Sequence, residues 1–259
     1  MLIAHISDFH IFAKAPETSI VRRDATGAAR KVIADIAAFT PKISAVMFTG
    51  DLTDGGATED YALLADILSP IDFPIFVIPG NHDTRTGLRA AFREVIPFGS
   101  GPFLNYNTQF LGIRILALDT LLDGQVHGRL ESTQLSWLAE QLERPNEDLT
   151  LVLMHHPGFP SEIAQLDHMA LREGRDAFGK LIAAYSGPLR ILAGHIHRPF
   201  QTLWNGVLCS VSGGPAFQQD LVLDPAISEP GIVDEPYAYF IHQIHDAKTV
   251  SIHTRYVEL

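Results

Sequence analysis

Short apolar runs alternate with amphipathic segments through the first two thirds of the chain. The runs are largely hydrophobic and rich in β-branched residues, which is typical of strands buried in a covered sheet. The segments between them repeat their apolar side chains every three or four residues, as amphipathic helices do. The pattern predicts strands at residues 2–7, 45–49, 74–78, 149–154 and 189–193, and helices at residues 25–39, 58–68, 86–95, 132–142 and 172–184.

In the middle and at the end of the chain, the alternation of strands and helices gives way to predicted pairs of antiparallel strands. A hairpin is predicted around the turn Leu111-Gly112, and a β pattern follows from residue 201 to residue 257. Residues 217–236 interrupt this pattern with acidic residues and without Lys or Arg. We interpret them as an inserted loop, either a lid or partner contact or a plain solvated loop. Residues 1–259 are taken as one α/β domain.

Polar side chains follow five of the predicted strands at their C-terminal ends. Because open α/β sheets bind ligands at that edge, we expect these side chains to converge on one site. Two pairs have a spacing of two residues, which we expect to point both members of a pair the same way. The side chains are Asp8 and His10, Asp51, Asn81 and His82, His155 and His156, and His195 and His197.

The donor types in this set indicate a metal centre. Imidazole nitrogens with carboxylate or amide oxygens suit Zn²⁺, Mn²⁺ or Fe. Even seven ligands from this set are more than one tetrahedral ion takes. They suit two ions that share a carboxylate at a separation of roughly 3.5–4 Å. We therefore predict two divalent transition-metal ions, and the donor set permits Mn, Fe, Zn or Co.

Charge and cysteine content narrow the function classes. Acidic residues outnumber basic ones 30 to 19, a formal net charge of −11, so we expect no stable nucleic-acid partner. The single Cys209 cannot form an intrachain disulfide, and the first residues lack the basic segment of a signal peptide. No apolar run approaches the about 20 residues that span a bilayer. We expect a cytoplasmic protein without a membrane partner.

In this order along the chain, the motifs resemble those of the calcineurin-like metallophosphoesterases. They are Asp8-x-His10, Gly50-Asp51, Gly80-Asn81-His82-Asp83, the strand-end His155 and Gly194-His195-x-His197. The small size and residues 4–10 resemble the bacterial class III cyclic-nucleotide phosphodiesterases and the related glycerophosphodiesterases. The resemblance implies a four-layer αββα sandwich of two mixed β-sheets flanked by helices. Since such relatives commonly dimerise, it also implies a homodimer or higher homo-oligomer.

The resemblance also implies roles for the candidate residues. One metal would be bound by Asp8, His10, Asp51 and His197, and the other by Asp51 as the bridge with Asn81, His155 and His195. His82 corresponds to the family's non-ligand histidine that faces the phosphate, and Asn81 is expected beside it at the substrate. His155 and His156 compete for one ligand position, and similar family members use the first. His156 then lies behind the ligand or faces the substrate.

The expected reaction is hydrolysis by a hydroxide that bridges the two metals. His82 is the candidate catalytic residue that protonates the departing alkoxide, with Asp83 either fixing its tautomer or capping a helix. The leading substrates are small soluble phosphodiesters, foremost 3′,5′-cyclic nucleotides. The alternatives are a glycerophosphodiesterase, a phosphomonoesterase or broad-specificity phosphoesterase, and a noncatalytic protein-binding scaffold. Residues 213–219 contain no histidine where the similar glycerophosphodiesterases place a substrate-contacting one, which counts against recognition of a glycerol head group, and Gln218 or Gln219 is expected to line the pocket instead.

Overall fold

The computed structural model describes residues 1–15, 20–144, 147–227 and 231–259. Within these ranges the alternation of apolar runs and amphipathic segments forms strands and helices close to the predicted bounds. The strands are β1 (Leu2–Ile6), β2 (Ala45–Phe48), β3 (Ile75–Val77), β4 (Tyr106–Phe110), β5 (Ile113–Ala117), β6 (Gly128–Arg129), β7 (Leu149–Leu153), β8 (Leu171–Glu173), β9 (Leu189–Ala193), β10 (Phe200–Trp204), β11 (Val207–Val211), β12 (Gln218–Gln219), β13 (Ile232–Val233), β14 (Tyr237–Ile244) and β15 (Val250–Val257). The helices are α1 (Ala25–Ala38), α2 (Thr58–Leu68), α3 (Arg85–Phe92), α4 (Ser132–Glu143), α5 (Ala164–Asp167) and α6 (Arg175–Ala184).

Two mixed sheets form the centre of the fold. The first has the strand order β15-β14-β1-β2-β3, in which β1, β2 and β3 are parallel and β14 and β15 are antiparallel to their neighbours. The second has the order β10-β11-β9-β7-β5-β4, with parallel strands β11, β9, β7 and β5 between antiparallel edges. The parallel strands of each sheet end together, so the loops that follow them meet at common edges.

Alternating side chains on the strands of the second sheet divide the interior into two cores. On β5, Ile115 packs with the first sheet and helices α1 and α2, whereas its neighbour Leu116 packs with α4 and α6. On β7, Leu151 and Val152 divide in the same way, because successive side chains of a strand point to opposite faces. The layers are therefore helices, sheet, sheet and helices, and the predicted αββα sandwich is confirmed.

Two local predictions need correction. The segment predicted as a helix from residue 172 begins as strand β8, and helix α6 starts only at Arg175 after Gly174, whose backbone is left-handed (φ of 82°). Residues 217–236 are not wholly irregular, because β12 and β13 pair as a small antiparallel ribbon; residues 228–230 of that stretch lie outside the described ranges. Within the described residues, none of the helices combines the length and the hydrophobicity needed to cross a bilayer.

Candidate metal centre

The predicted ligands lie just beyond the ends of β1, β2, β3, β7 and β9. Backbone hydrogen bonds continue past these ends and tie the loops together: Asp8 N donates to Gly50 O at 3.0 Å and His10 N to Asp51 O at 3.0 Å. Gly194 N donates to the carbonyl of His155 at 3.1 Å, which links two loops of the second sheet in the same way. The loops therefore converge because the sheet pairing is extended by a few further bonds.

The loop backbone is left-handed at five of the seven predicted ligands. The φ angles are 60° at Asp8, 48° at His10, 49° at Asp51, 72° at His195 and 53° at His197. Non-glycine residues rarely adopt this region, and such strain concentrates at functional sites. Both members of each two-residue pair face the site, as expected, but strand alternation is not the cause. The pairs lie beyond their strands, and left-handed backbone turns both members inward.

Four of the predicted ligands form the first candidate group, Asp8, His10, Asp51 and His197, whose donor atoms all lie within 4.8 Å of one another. His197 Nε2 lies 3.3 Å from Asp8 Oδ1, and His10 Nε2 lies 3.5 Å from Asp51 Oδ2. The two imidazole Nε2 atoms are 3.1 Å apart. All four residues are buried.

The outward nitrogens of this group already have acceptors. His10 Nδ1 is 3.0 Å from Asp54 Oδ1, and His197 Nδ1 is 3.2 Å from the carbonyl oxygen of Phe217. When each Nδ1 carries the proton that it donates there, both Nε2 atoms present lone pairs to each other. Two lone pairs at this distance repel unless a cation lies between them, so the arrangement fits a metal ion.

The second candidate group consists of Asp51, Asn81, His155 and His195. His155 Nε2 lies 3.2 Å from both Asp51 Oδ2 and Asn81 Oδ1, while its Nδ1 lies 2.7 Å from the carbonyl oxygen of Thr49. His195 Nε2 is 2.9 Å from Met169 O, which leaves its Nδ1 free, and its ring centroid is 5.1 Å from that of His155. As in the first group, one ring nitrogen of each imidazole contacts an acceptor behind the site, and the other is left for a metal ion.

Asp51 lies between the two groups. Its Oδ2 faces His10 in one group and His155 in the other, and its Oδ1 accepts a 2.8 Å hydrogen bond from His82 N. This is the position that a bridging carboxylate requires. Gly80 makes it possible, because a Cβ atom there would stand 2.1 Å from Asp51 Oδ1.

His156 has a donor atom within 4.8 Å of those of His155 and His195, but both of its ring nitrogens contact atoms outside the predicted ligands. Its Nδ1 is 2.8 Å from Thr120 Oγ1 and its Nε2 is 3.0 Å from Val126 O, and the side chain is buried. Its ring centroid is 4.5 Å from that of His195. Since both ring nitrogens already have partners, the expectation that His156 contacts substrate is not supported, and the alternative behind the ligand fits.

The charges of the site favour cations. Burial raises the pKa of the Asp8 carboxyl to about 6, and the nearby Asp51 adds to the rise. Burial also opposes the ionisation of Asp51, but the imidazoles of His155 and His10 hold its pKa well below the usual range. Buried carboxylates that are surrounded by imidazoles need positive charge for balance. The donor set therefore fits divalent metal ions in both groups.

His82 stands at the mouth of the site with its side chain 40% exposed. Its Nδ1 is 3.2 Å from Asp54 Oδ1 and 3.1 Å from Asp54 O, which leaves Nε2 as the free ring nitrogen. Partial burial acts to lower the pKa of His82, but Asp54 and Asp51 outweigh it and raise this pKa to about 9. The ring packs edge-on against His10 at 4.6 Å between centroids.

From the sequence, Asp54 was missed and Asp83 was offered for its role, with helix capping as the alternative, and the structure supports neither for Asp83. Asp83 does not contact the His82 ring; its carboxylate accepts bonds from Gly80 N, Leu52 N, Thr53 N, Thr53 Oγ1 and Tyr61 OH at 3.0–3.1 Å. It thereby joins the two loops that carry Asp51 and His82. Helix α3 is instead capped by Thr84, which accepts from Gly87 N. The sequence feature that could have identified Asp54 is its position as a second carboxylate three residues after Asp51.

Phe217 was also missed, although it directly precedes the candidates Gln218 and Gln219. Its ring stacks on His197 at 3.6 Å between centroids and 14° between planes. Gln218 donates from its side chain to the Glu235 carbonyl, whereas Phe217 and Gln218 both line a cleft of about 570 Å³. The side chain that stacks on a candidate ligand is therefore the aromatic ring of Phe217, while Gln219 contacts His197 through a backbone hydrogen bond of 3.3 Å.

Comparison with known proteins agrees with this geometry. The family model described as calcineurin-like phosphoesterase matches residues 1–199. A protein of Arcobacter nitrofigilis named probable glycerophosphodiester phosphodiesterase is 32% identical over 99% of this chain and 93% of its own length. A protein of Synechococcus named probable cyclic nucleotide phosphodiesterase is 30% identical over 97% of this chain and 94% of its own.

A solved structure shares the fold at low sequence identity. The dimetal phosphatase of Danio rerio superposes with a TM-score of 0.73 at 14% identity, covering 99% of this chain and 95% of that one. The two-sheet architecture is therefore common to both molecules. The family match, the two whole-length relatives and the strand-end motifs agree: the chain belongs to the calcineurin-like phosphoesterase family.

Proposed function

We propose that the chain is a metal-dependent phosphodiesterase that hydrolyses small soluble phosphodiesters with two divalent transition-metal ions, Mn, Fe, Zn or Co. The observation that carries the proposal is the position of Asp51, whose Oδ2 faces one imidazole of each candidate group at 3.2–3.5 Å. Asp8, His10 and His197 would complete the first metal's ligands, and Asn81, His155 and His195 the second's. When bound, the ions supply an activated water and stabilise negative charge on the phosphoryl oxygens.

The chain's own residues would orient the ester and move a proton. His82 presents its free Nε2 at the mouth of the site, while Nδ1 is held by Asp54. A protonated His82 can hydrogen-bond a phosphoryl oxygen and then give its proton to the leaving alkoxide, a step typically worth 10²–10⁴-fold in rate. Asn81, next to His82, contributes an amide that faces both the metal position and the substrate.

The preferred substrates are 3′,5′-cyclic nucleotides. Phe217 provides an aromatic surface beside His197, which suits a planar base better than a glycerol head group. Relatives bear names of both kinds, cyclic nucleotide and glycerophosphodiester phosphodiesterases. Hydrolysis of glycerophosphodiesters or of phosphomonoesters is therefore the second candidate. The complete set of donors and His82 weighs against a noncatalytic scaffold.

A rate assay tests the proposal. Protein stripped of metal and reloaded with Mn²⁺ should hydrolyse bis(p-nitrophenyl) phosphate, and chelation should abolish the rate. Specificity constants for cyclic AMP, a glycerophosphodiester and a monoester then rank the substrates. Metal-loaded protein that hydrolyses none of them would leave the scaffold as the better account.

A further inference from the structure

A second cleft, of about 560 Å³, lies beside the metal centre and uses residues that the proposed reaction leaves out. It is lined by Asp167, His168, Leu171, Arg172 and Arg175. Leu171 is fully buried and forms the apolar floor, whereas His168 and Arg172 are exposed. We name this feature the basic cleft.

The single acid of the basic cleft is already fully hydrogen-bonded. Asp167 Oδ1 accepts from Ser161 N and Ser161 Oγ at 2.7 Å each, and its Oδ2 accepts from Glu162 N at 3.2 Å. Its charge therefore stabilises the turn before helix α5 instead of pairing with the bases of the cleft.

The bases, in contrast, have no acidic partner. Across the described ranges neither arginine nor His168 forms an ion pair, and Arg175 contacts only a neutral acceptor, Gly158 O, at 3.3 Å. The neighbouring Glu173 is directed away, toward His127 and Arg129 at 3.8–3.9 Å. Two permanently charged guanidinium groups thus share one concave surface in a chain whose net charge is −11.

Backbone hydrogen bonds join the basic cleft to the second candidate group. Met169, next to His168, accepts from His195 Nε2 at 2.9 Å. Leu171 N donates to Pro157 O at 3.1 Å, two residues after His155. The cleft is therefore built on the segment that holds His195 and follows His155, on the side of the second group away from the metal position.

We propose that the basic cleft is an anion subsite that binds a second phosphate of the substrate, one outside the ester to be cleaved. The proposal rests on the proposed function and deepens it, because it names phosphodiesters that carry an additional phosphate monoester as a substrate class. Guanidinium groups match the geometry of a phosphate, which can accept two parallel hydrogen bonds from each. Hydrolysis of such an ester gives an organic bisphosphate and an alcohol when the cleaved phosphate stays with the fragment that carries the second phosphate, and two monophosphates when it leaves with the other fragment.

Equilibrium binding tests the subsite without turnover. Adenosine 3′,5′-bisphosphate and adenosine 5′-monophosphate differ by one phosphate, and calorimetric titration of the manganese-loaded protein gives both dissociation constants. We expect the bisphosphate to bind about tenfold more tightly, as one additional charge-assisted contact provides. Arg172→Gln should remove this preference and leave the affinity for the monophosphate unchanged.

Lys180→Gln is the matched control, since it removes one exposed positive charge from the same region without touching the cleft. It should keep the tenfold preference. Equal affinities for the two nucleotides in the wild-type protein, or a preference that survives Arg172→Gln, would overturn the subsite.

A turnover experiment separates this proposal from the one on which it rests. The dinucleotide ApA and its 5′-phosphorylated form pApA contain the same ester, and the subsite predicts a lower KM for pApA that Arg172→Gln raises to the value for ApA. Hydrolysis of both with equal KM contradicts the subsite alone. Hydrolysis of neither dinucleotide and none of bis(p-nitrophenyl) phosphate or cyclic AMP, with the Arg172-dependent binding preference intact, contradicts the proposed reaction but supports the subsite.

Discussion

The two candidate groups share Asp51 but differ in charge and in backbone. The first contains two carboxylates, from Asp8 and Asp51, and every one of its residues has a left-handed backbone. The second contains only the shared carboxylate and replaces the other by the neutral amide of Asn81. A cation should therefore be held more tightly in the first group.

The hydrogen-bond acceptors behind the imidazoles differ as well. In the first group His10 is backed by a carboxylate, that of Asp54, which makes the imidazole a stronger donor to a metal. In the second group His155 and His195 are backed by the backbone carbonyls of Thr49 and Met169. From this comparison we expect one tight and one exchangeable metal position.

The largest expected effect comes from removing the carboxylate of Asp51, which the two groups share. Asp51→Asn should weaken both metal positions together and lower the rate by roughly a thousandfold or more, since bound ions contribute several kcal/mol to the transition state. Metal content after dialysis and the rate with bis(p-nitrophenyl) phosphate measure the two effects. Asp72→Asn, an exposed acid that pairs with Lys42, is the control. Loss of only one metal would contradict the bridging position.

His82→Ala separates metal binding from chemistry. Because His82 contacts Asp54 and not the inward nitrogens of either group, the variant should retain both metals. Its turnover should fall by about a hundredfold or more, most strongly for esters with poor leaving groups. A series of aryl phosphodiesters of increasing leaving-group pKa measures this, with the exposed His253→Ala as the control. A metal-depleted His82 variant would show that the assignment is wrong.

Asn81→Ala should weaken metal binding in the second group but not in the first. The amide contacts His155 in the second group only, so metal affinity there should fall by roughly ten- to a hundredfold while the first position stays filled. Manganese titration followed by electron paramagnetic resonance distinguishes the two positions. Equal weakening of both would mean that the groups are not separate sites.

Asp54→Asn is expected to have the smallest effect. Asp54 contributes to the raised pKa of His82, so its loss should lower that pKa and move the alkaline limb of the rate profile to lower pH. As a general acid, His82 is active when protonated and loses activity as the pH rises through its pKa. The rate at neutral pH should fall by about tenfold. An alkaline limb that does not move would exclude His82 as the titrating acid.

The elements and the family were predictable from the sequence because both depend on side-chain pattern. The periodicity gave α2 and β9 with their observed bounds, and strand-end motifs placed Asp8 through His197 at a common edge. Strands β6 and β8 were missed because two or three residues are too short to show a period. Their pairing depends on where the surrounding loops are held.

The convergence of the candidate residues was predictable from the sequence, but their orientation was not. The left-handed backbone at Asp8 and His10 arises from hydrogen bonds to Gly50 and Asp51, distant in sequence. The acceptor of His195 is the carbonyl of Met169, a group that any residue type provides, so no sequence signal marks it. The role of Asp54 likewise follows from packing, because Asp83 was an equally plausible partner in sequence.

Anomalous diffraction from crystals of the manganese-loaded protein tests the central claim most directly. The account predicts two peaks roughly 3.5–4 Å apart, each within coordination distance of one carboxylate, that of Asp51. Asp8, His10 and His197 should surround one peak, and Asn81, His155 and His195 the other. A single peak, or two peaks that Asp51 does not join, would contradict it.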